Sequence, residues 1–307
     1  MNLQQLFEQY IKAGIYLKGW RPKTAVIYRR AFTSFQQSLH GAQDAGVEPA
    51  TVINCSPVPL TKAQLEAWIV SRRQAGMSPA GVNIYIRAMN ALCAWLKAEG
   101  HVSEQIILQQ IRIPERQLLI FSEREIRALL TFKPKRFMEL RIWTLINLLV
   151  DTGLRIDEAL SIETEKLDLD NLLITVIGKG NRERKVPISL ELRKVLFRYQ
   201  QMKQKRELPV RYLFCTKSGL RLRYRNVYRD IKTFSMKLGI AGDYVRPHCF
   251  RHFFAVHYIK SGGSIVHLSR ILGHSSITTT QLYLRSMGTE HLGAEHSQHS
   301  ALGSLRG

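Results

Sequence analysis

Tyr283 stands near the end of the 307-residue chain, in the stretch ILGHSSITTTQLYLR, nine positions beyond His274. A tyrosine so placed is either a core aromatic or a nucleophile for phosphoryl transfer on nucleic acid, and the residue alone does not separate the two. Cleaving a phosphodiester with a phenol makes definite demands. The five-coordinate transition state gathers negative charge on its equatorial oxygens. Fixed cationic donors stabilise that charge, and the planar fork of arginine matches phosphate oxygens best. The phenol, with a pKa of about 10, must lose a proton, and the leaving 5′-oxygen must gain one.

The sequence holds candidates for each role. Arg155 follows a glycine turn in DTGLRIDE, and Glu158, three residues on, shares its face if the segment is helical and could orient the guanidinium. His248 and Arg251 are also three apart, in RPHCFRHFFA, so on a helix they project together. Lys179 occupies the turn of GKGNRERKVP. Each has a bland reading too. Arg155 can be a solvated cap or an ordinary ion pair, Lys179 a solvated turn lysine, and His274 a helix-terminal residue. His248 and Arg251 can be part of a basic helix with a capping histidine.

The elements that must carry these residues are mainly helical. Leu3, Leu6, Phe7, Tyr10 and Ile11 recur at helical spacing over 2–12, and a second helix is expected over 23–39 with Ile27, Tyr28, Ala31 and Phe35 inward. Residues 41–59 read as loop. Thr61 and Ser78 suit the caps of two further helices, running to about Gln74 and Glu99, with Pro79 at the first helical position of the second. Pro114 and its charged neighbours suggest a linker. Ser122 and Glu125 form a capping-box signature, and an apolar helix over 139–152 stops at Gly153. From 166 to 189 the pattern alternates around a polar turn, which predicts a hairpin or short antiparallel sheet. Helices return over 190–205, over 224–238 and through the segment bearing His248. The tail from Gly288 is rich in Gly, His and Ser and reads as an extension or an arm that orders on a partner.

Charge points to the partner. The chain has 45 Lys and Arg against 24 Asp and Glu, a net +21, divided as +6 over residues 1–112 and +15 over 113–307. Two basic halves favour a polyanion, with nucleic acid the first candidate. The four cysteines, Cys55, Cys93, Cys215 and Cys249, show no paired spacing, which is expected of a reducing compartment and no structural zinc. The apolar run 142–150 is far short of the roughly 20 residues that span a bilayer. A cytoplasmic protein without a membrane partner is expected.

Taken together, TGLRIDE, GKGNRERKVP, PHCFRHFFA and LGHSSITTTQLY, in that order and spacing, resemble the tyrosine recombinase (phage integrase and Xer-like) family over roughly residues 121–285. The segments RPKTAVIYRRAFTSF and SPAGVNIYIRAMNALCAWL resemble, less specifically, the family's helical core-binding domain. The resemblance implies a mainly α fold with a small antiparallel sheet. It divides the chain into a SAM-like core-binding domain over 1–112, a linker over 113–120, a catalytic domain over 121–287 and a tail over 288–307 able to dock on another protomer.

It also implies the roles. Tyr283 would form a 3′-phosphotyrosyl bond, Arg155 and Arg251 would grip the non-bridging oxygens, and His248 would act as donor and acid/base partner. His274 would be a further donor to the phosphate, and Lys179 would protonate the leaving oxygen. No cofactor, metal or ATP is implied. The partners implied are double-stranded DNA recombination sites, a homotetramer assembled on DNA through a Holliday junction, and in some members an accessory DNA-binding protein. The expected location is the nucleoid. A type IB-like topoisomerase and a catalytically inactive DNA-binding accessory protein are the alternatives. The second is opposed by the presence of all six residues. Leu284-Arg285 stands where many relatives have Thr-His, which leaves the docking tail open.

Overall fold

The computed structural model describes residues 1–41, 60–113, 120–178, 182–274 and 276–284. The expected loop over 41–59, most of the linker, the hairpin tip with Lys179 and the tail beyond 288 therefore lie almost wholly outside the described residues. The chain divides between Arg116 and Gln117 into two compact units.

The first unit is helical: α1 (Leu3–Tyr16), α2 (Pro22–Gly41), α3 (Lys62–Gln74) and α4 (Pro79–Ala98). Local chemistry sets the starts. Asn2 with Gln5 and Thr61 with Gln64 form reciprocal capping boxes, and Ser78 caps α4 with Pro79 at its first turn. Helix α1 runs past the expected end at residue 12. Trp20 folds back over it at Gly14, where an added Cβ would sit 2.2 Å from the indole. In α2 the inward stripe is Tyr28, Ala31, Phe32 and Phe35, whereas Ile27 is exposed, contrary to the sequence expectation. The period from Tyr28 explains it: 28, 31, 32 and 35 share one face and 27 falls beside it. Residues 108–111, just before the expected linker over 113–120, are docked on α4. Asn83 exchanges two hydrogen bonds with the backbone of Ile111, and Asn90 two with Leu108.

The second unit is mainly helical with a small antiparallel sheet, the fold class expected. It comprises α5 (Glu123–Thr131), α6 (Phe137–Thr152), α7 (Ile156–Leu160), β1 (Leu167–Asp168), β2 (Leu173–Ile177), β3 (Glu183–Pro187), α8 (Leu190–Gln204), α9 (Tyr224–Met236), α10 (Pro247–Lys260), α11 (Ile265–Leu272) and α12 (Ile277–Leu284). Helix α6 is its centre, with Leu145, Ile146, Leu148 and Leu149 fully buried, and α8, α9 and α10 lie against it. The strands run in the order β1-β2-β3, and Ile174 pairs with Val186 in the β2–β3 hairpin. Among the described residues no helix is long and apolar enough to cross a membrane.

Two glycines terminate helices at points of close approach. Gly153 ends α6 at φ 61°, and a Cβ there would lie 2.3 Å from Phe254 of α10. Gly273 ends α11 at φ 65° and admits the Arg184 guanidinium, which a Cβ would approach to 2.9 Å. Both need the left-handed conformation that glycine takes without steric cost, and both let another element come within contact distance.

Candidate active site

The turn after α6 delivers Arg155 as the N-cap of α7. Its amide donates to Glu158 Oε2 at 3.0 Å, and its guanidinium donates to Glu158 Oε1 at 3.2 Å. The helical spacing read in the sequence thus pairs the two residues. Glu158 is only 7% exposed while the Arg155 side chain is 42% exposed, so the carboxylate is the anchored partner and the guanidinium the presented one.

Helix α10 begins at Pro247 and carries His248 and Arg251 on successive turns. Arg251 is 1% exposed. It donates to the Gly153 carbonyl at 2.9 Å and to the Leu272 carbonyl at 2.8 Å, and meets His274 Nε2 at 2.7 Å. Arg155 also reaches the Leu272 carbonyl, at 3.4 Å. The C-terminal carbonyls of α11 therefore gather the arginines at the negative end of that helix, where cations are favoured.

His274 follows directly. Because a guanidinium can only donate, Nε2 is the acceptor from Arg251, and the proton sits on Nδ1, which faces Thr280 Oγ1 at 2.8 Å. Thr280 is fully buried and belongs to α12, so this hydrogen bond ties α12 to the site, and α12 lies against both α10 and α11. Position 283 lies on the same helix three residues on, and only its backbone is described.

The electrostatics keep the imidazoles neutral. Burial, then the charges of Arg251, Arg155 and Arg184, press the His274 pKa down to about 4. His252, one turn beyond His248 with ring centroids 4.5 Å apart, is likewise lowered to about 4 by burial, His248 and Arg251. His248 stays exposed, yet the protein around its ring, Arg251 and Arg155 lower its pKa too. Burial opposes ionisation of Glu158, but hydrogen bonds from Arg184 and the Arg155 amide, with both positive charges, outweigh it and hold the carboxyl below its usual range.

Unfolded histidine titrates at about 6.5, above these folded values, so the folded protein binds fewer protons and stability is lost as pH falls below that value. The thermal midpoint is expected to drop between pH 7 and 5, before most carboxylates titrate. His252→Gln should shrink the drop, and an unchanged drop would place the titration elsewhere.

Of the six residues proposed from sequence, Arg251 and His274 meet directly, Arg155 shares the Leu272 carbonyl with Arg251, and His248 stands within their electrostatic reach. Tyr283 is placed by its backbone alone, and Lys179 lies outside the described residues. Sequence reading passed over Arg184 and Thr280. Arg184 donates to both carboxylate oxygens of Glu158 at 3.1 and 2.9 Å and through Nε to the Ile271 carbonyl at 3.0 Å. Strand alternation was the available signal: Arg184 shares the inward face of β3 with buried Val186, so it needed an acidic partner.

Guanidinium groups and imidazoles converging at the end of a helix that faces a tyrosine-bearing helix define a protein built for phosphodiester chemistry. A family model described as the phage integrase family matches residues 120–290. Two curated relatives are similar over most of the chain, both tyrosine recombinase XerC. That of Xylella fastidiosa is 30% identical over 233 residues, covering 74% of this chain and 76% of its own length. That of Xanthomonas campestris pv. campestris is 29% identical over 226 residues, covering 73% and 69%. Among solved structures, the Tn1549 transposon integrase in complex with transposon right-end DNA shares the fold, with a TM-score of 0.76 at 18% identity over 98% of this chain and all of that one. The chain belongs to the phage integrase family. Its activity is that of a tyrosine recombinase, the site-specific cleavage and rejoining of DNA through a tyrosine-linked intermediate.

Proposed function

We propose that Tyr283 is the nucleophile and that Arg155, Arg251, His248, His274 and Lys179 complete the catalytic set. The observation that carries this reading is the junction of Arg251 and Arg155 at the Leu272 carbonyl, with His274 on Arg251, beside the helix that bears Tyr283. Tyr283 Oη attacks the scissile phosphorus, its proton passing to His248, which the protein packed around its ring, and then the charges of Arg251 and Arg155, keep neutral and able to accept. The bond from phosphorus to the 5′-oxygen breaks, Lys179 gives that oxygen a proton, and a 3′-phosphotyrosyl bond remains beside a free 5′-hydroxyl. Rejoining reverses each transfer, and the phosphotyrosyl bond conserves the energy of the broken one.

Arg155 and Arg251 hold the non-bridging oxygens. His274 joins them by changing tautomer: when the Arg251 N–H that Nε2 accepts turns to the phosphate, the Thr280 hydroxyl donates to Nδ1 and Nε2–H is left for a phosphate oxygen.

The helical unit is assigned to DNA binding. Its net charge of +6 over 1–112 and an open cavity of about 460 Å³ lined by Arg29, Arg30, Thr33, Gln37, Arg72 and Tyr85 support a phosphate-following surface. The acting species is a tetramer on two DNA sites that exchanges strands in pairs through a Holliday junction, in the cytoplasm at the nucleoid. Resolution of replicon dimers accords with the XerC relatives, and movement of a mobile element with the transposon integrase fold.

Incubation with host or element DNA, denaturation in SDS and recovery of covalently linked fragments tests this directly. The fragments should share one site, and the nucleotide-bearing peptide after digestion should contain Tyr283. A nucleotide on any other residue would refute the assignment.

A further inference from the structure

Arg184 is a charged side chain of which only 15% is exposed, and none of the roles above uses it. It contacts two helices and the turn that ends one of them. Its fork closes on both oxygens of Glu158 in α7, and its Nε donates to the Ile271 carbonyl at the end of α11. Its guanidinium lies against Gly273, where a Cβ would come within 2.9 Å. Arg184 itself is on β3, opposite Val176, near the hydrogen bond from the Gly178 amide to the Arg182 carbonyl at 2.8 Å that closes the base of the hairpin.

The charge count explains the need. Glu158 Oε1 takes hydrogen bonds from both Arg155 and Arg184. With Arg155 alone, the buried carboxylate would neutralise the guanidinium meant for the phosphate. With Arg184 added, the trio carries a net positive charge, and the more exposed guanidinium, Arg155, presents it. A planar fork is required because two carboxylate oxygens and a carbonyl are served together, which an ammonium cannot do in one geometry.

We propose that Arg184 is a positioning residue for the phosphate grip: it satisfies Glu158 so that the charge of Arg155 is free for DNA, and it locks the Ile271–Gly273 turn that sets His274. This inference rests on the reading of Arg155 as a phosphate ligand.

Single-turnover cleavage is measured with the full chain on the mapped site in two forms. One has an ordinary scissile phosphate, and the other a methylphosphonate, in which one non-bridging oxygen is replaced by methyl and the charge is lost. Arg184→Lys should cut the ordinary substrate at least about tenfold more slowly, as displaced catalytic groups do, but the methylphosphonate within about twofold of wild type. Arg184→Gln, in which Glu158 keeps both hydrogen bonds from Arg155 and the new side chain offers an amide donor, folds even if Arg184→Lys does not, and should show the same selectivity.

Arg155→Ala is the control. If it shows no selectivity between the substrates, the phosphate-grip reading falls and this inference falls with it. If Arg155→Ala is selective but the Arg184 variants lose rate equally on both substrates, or lose none, the inference about Arg184 alone is overturned.

Discussion

Tyr283→Phe is expected to abolish the SDS-resistant protein–DNA adduct and to lower strand cleavage by at least about four orders of magnitude, the scale on which enzymes lose rate when a covalent nucleophile is removed. The substitution takes away one oxygen and leaves the ring, so α12 keeps its length and its tie through Thr280 to His274. Affinity for the site should stay within about twofold, because DNA binding rests on phosphate contacts spread over a chain of net charge +21. A nicked substrate, from which the cleaved end diffuses away, makes the measurement sensitive. An undiminished adduct in the phenylalanine variant would move the nucleophile to another residue and dissolve the assignment.

Arg251→Ala is expected to have the next largest effect, and on two quantities. Cleavage should fall by at least about a thousandfold, the upper range for losing one fixed donor to a developing oxyanion, since this donor also carries charge. Stability should fall as well. Arg251 is 1% exposed and donates to the Gly153 and Leu272 carbonyls, which join the end of α6 to the end of α11. Leaving the Gly153 carbonyl without this donor costs about 1–3 kcal/mol, and the Leu272 carbonyl is left to Arg155 alone, which for a unit of this size lowers the thermal midpoint by several degrees. Arg251→Lys separates the two effects. It keeps the charge but cannot serve Gly153, Leu272 and His274 together, so it should be more stable than the alanine variant and still cut about a hundredfold more slowly. Near wild-type cleavage by Arg251→Ala would remove it from the chemistry.

The legible part of this protein was local. Ser122 with Glu125, Thr61 with Gln64, Pro79 after Ser78 and Gly153 after an apolar run each mark a helix boundary through groups a few residues apart, and the boundaries lie where those groups place them. The pairing of Arg155 with Glu158 was legible for the same reason. Ile27 shows where local reading slips: its side of α2 could be inferred only once the stripe from Tyr28 to Phe35 was fixed by α1, α3 and α4.

The site is another matter. Types and spacing nominated six residues, and the family resemblance gave them roles, but spacing along the chain does not say who touches whom. Arg155 meets the Leu272 carbonyl across 117 residues, and Arg251 meets Gly153 across 98. Thr280, which anchors α12 through His274, looks in sequence like any of three consecutive threonines.

The sequence by itself thus determined most of the helices, though not α11 or α12, together with the hairpin, the basic character and the identity of the chemical groups, because propensity, capping and charge act over a few bonds or need no geometry at all. Only the tertiary structure decided that the end of α11 is the meeting point, that Arg184 belongs to it, and that His274 accepts from Arg251. Those facts depend on which carbonyls a helix leaves unpaired at its end and which distant side chains fold against them, and no pattern of neighbours along the chain encodes that.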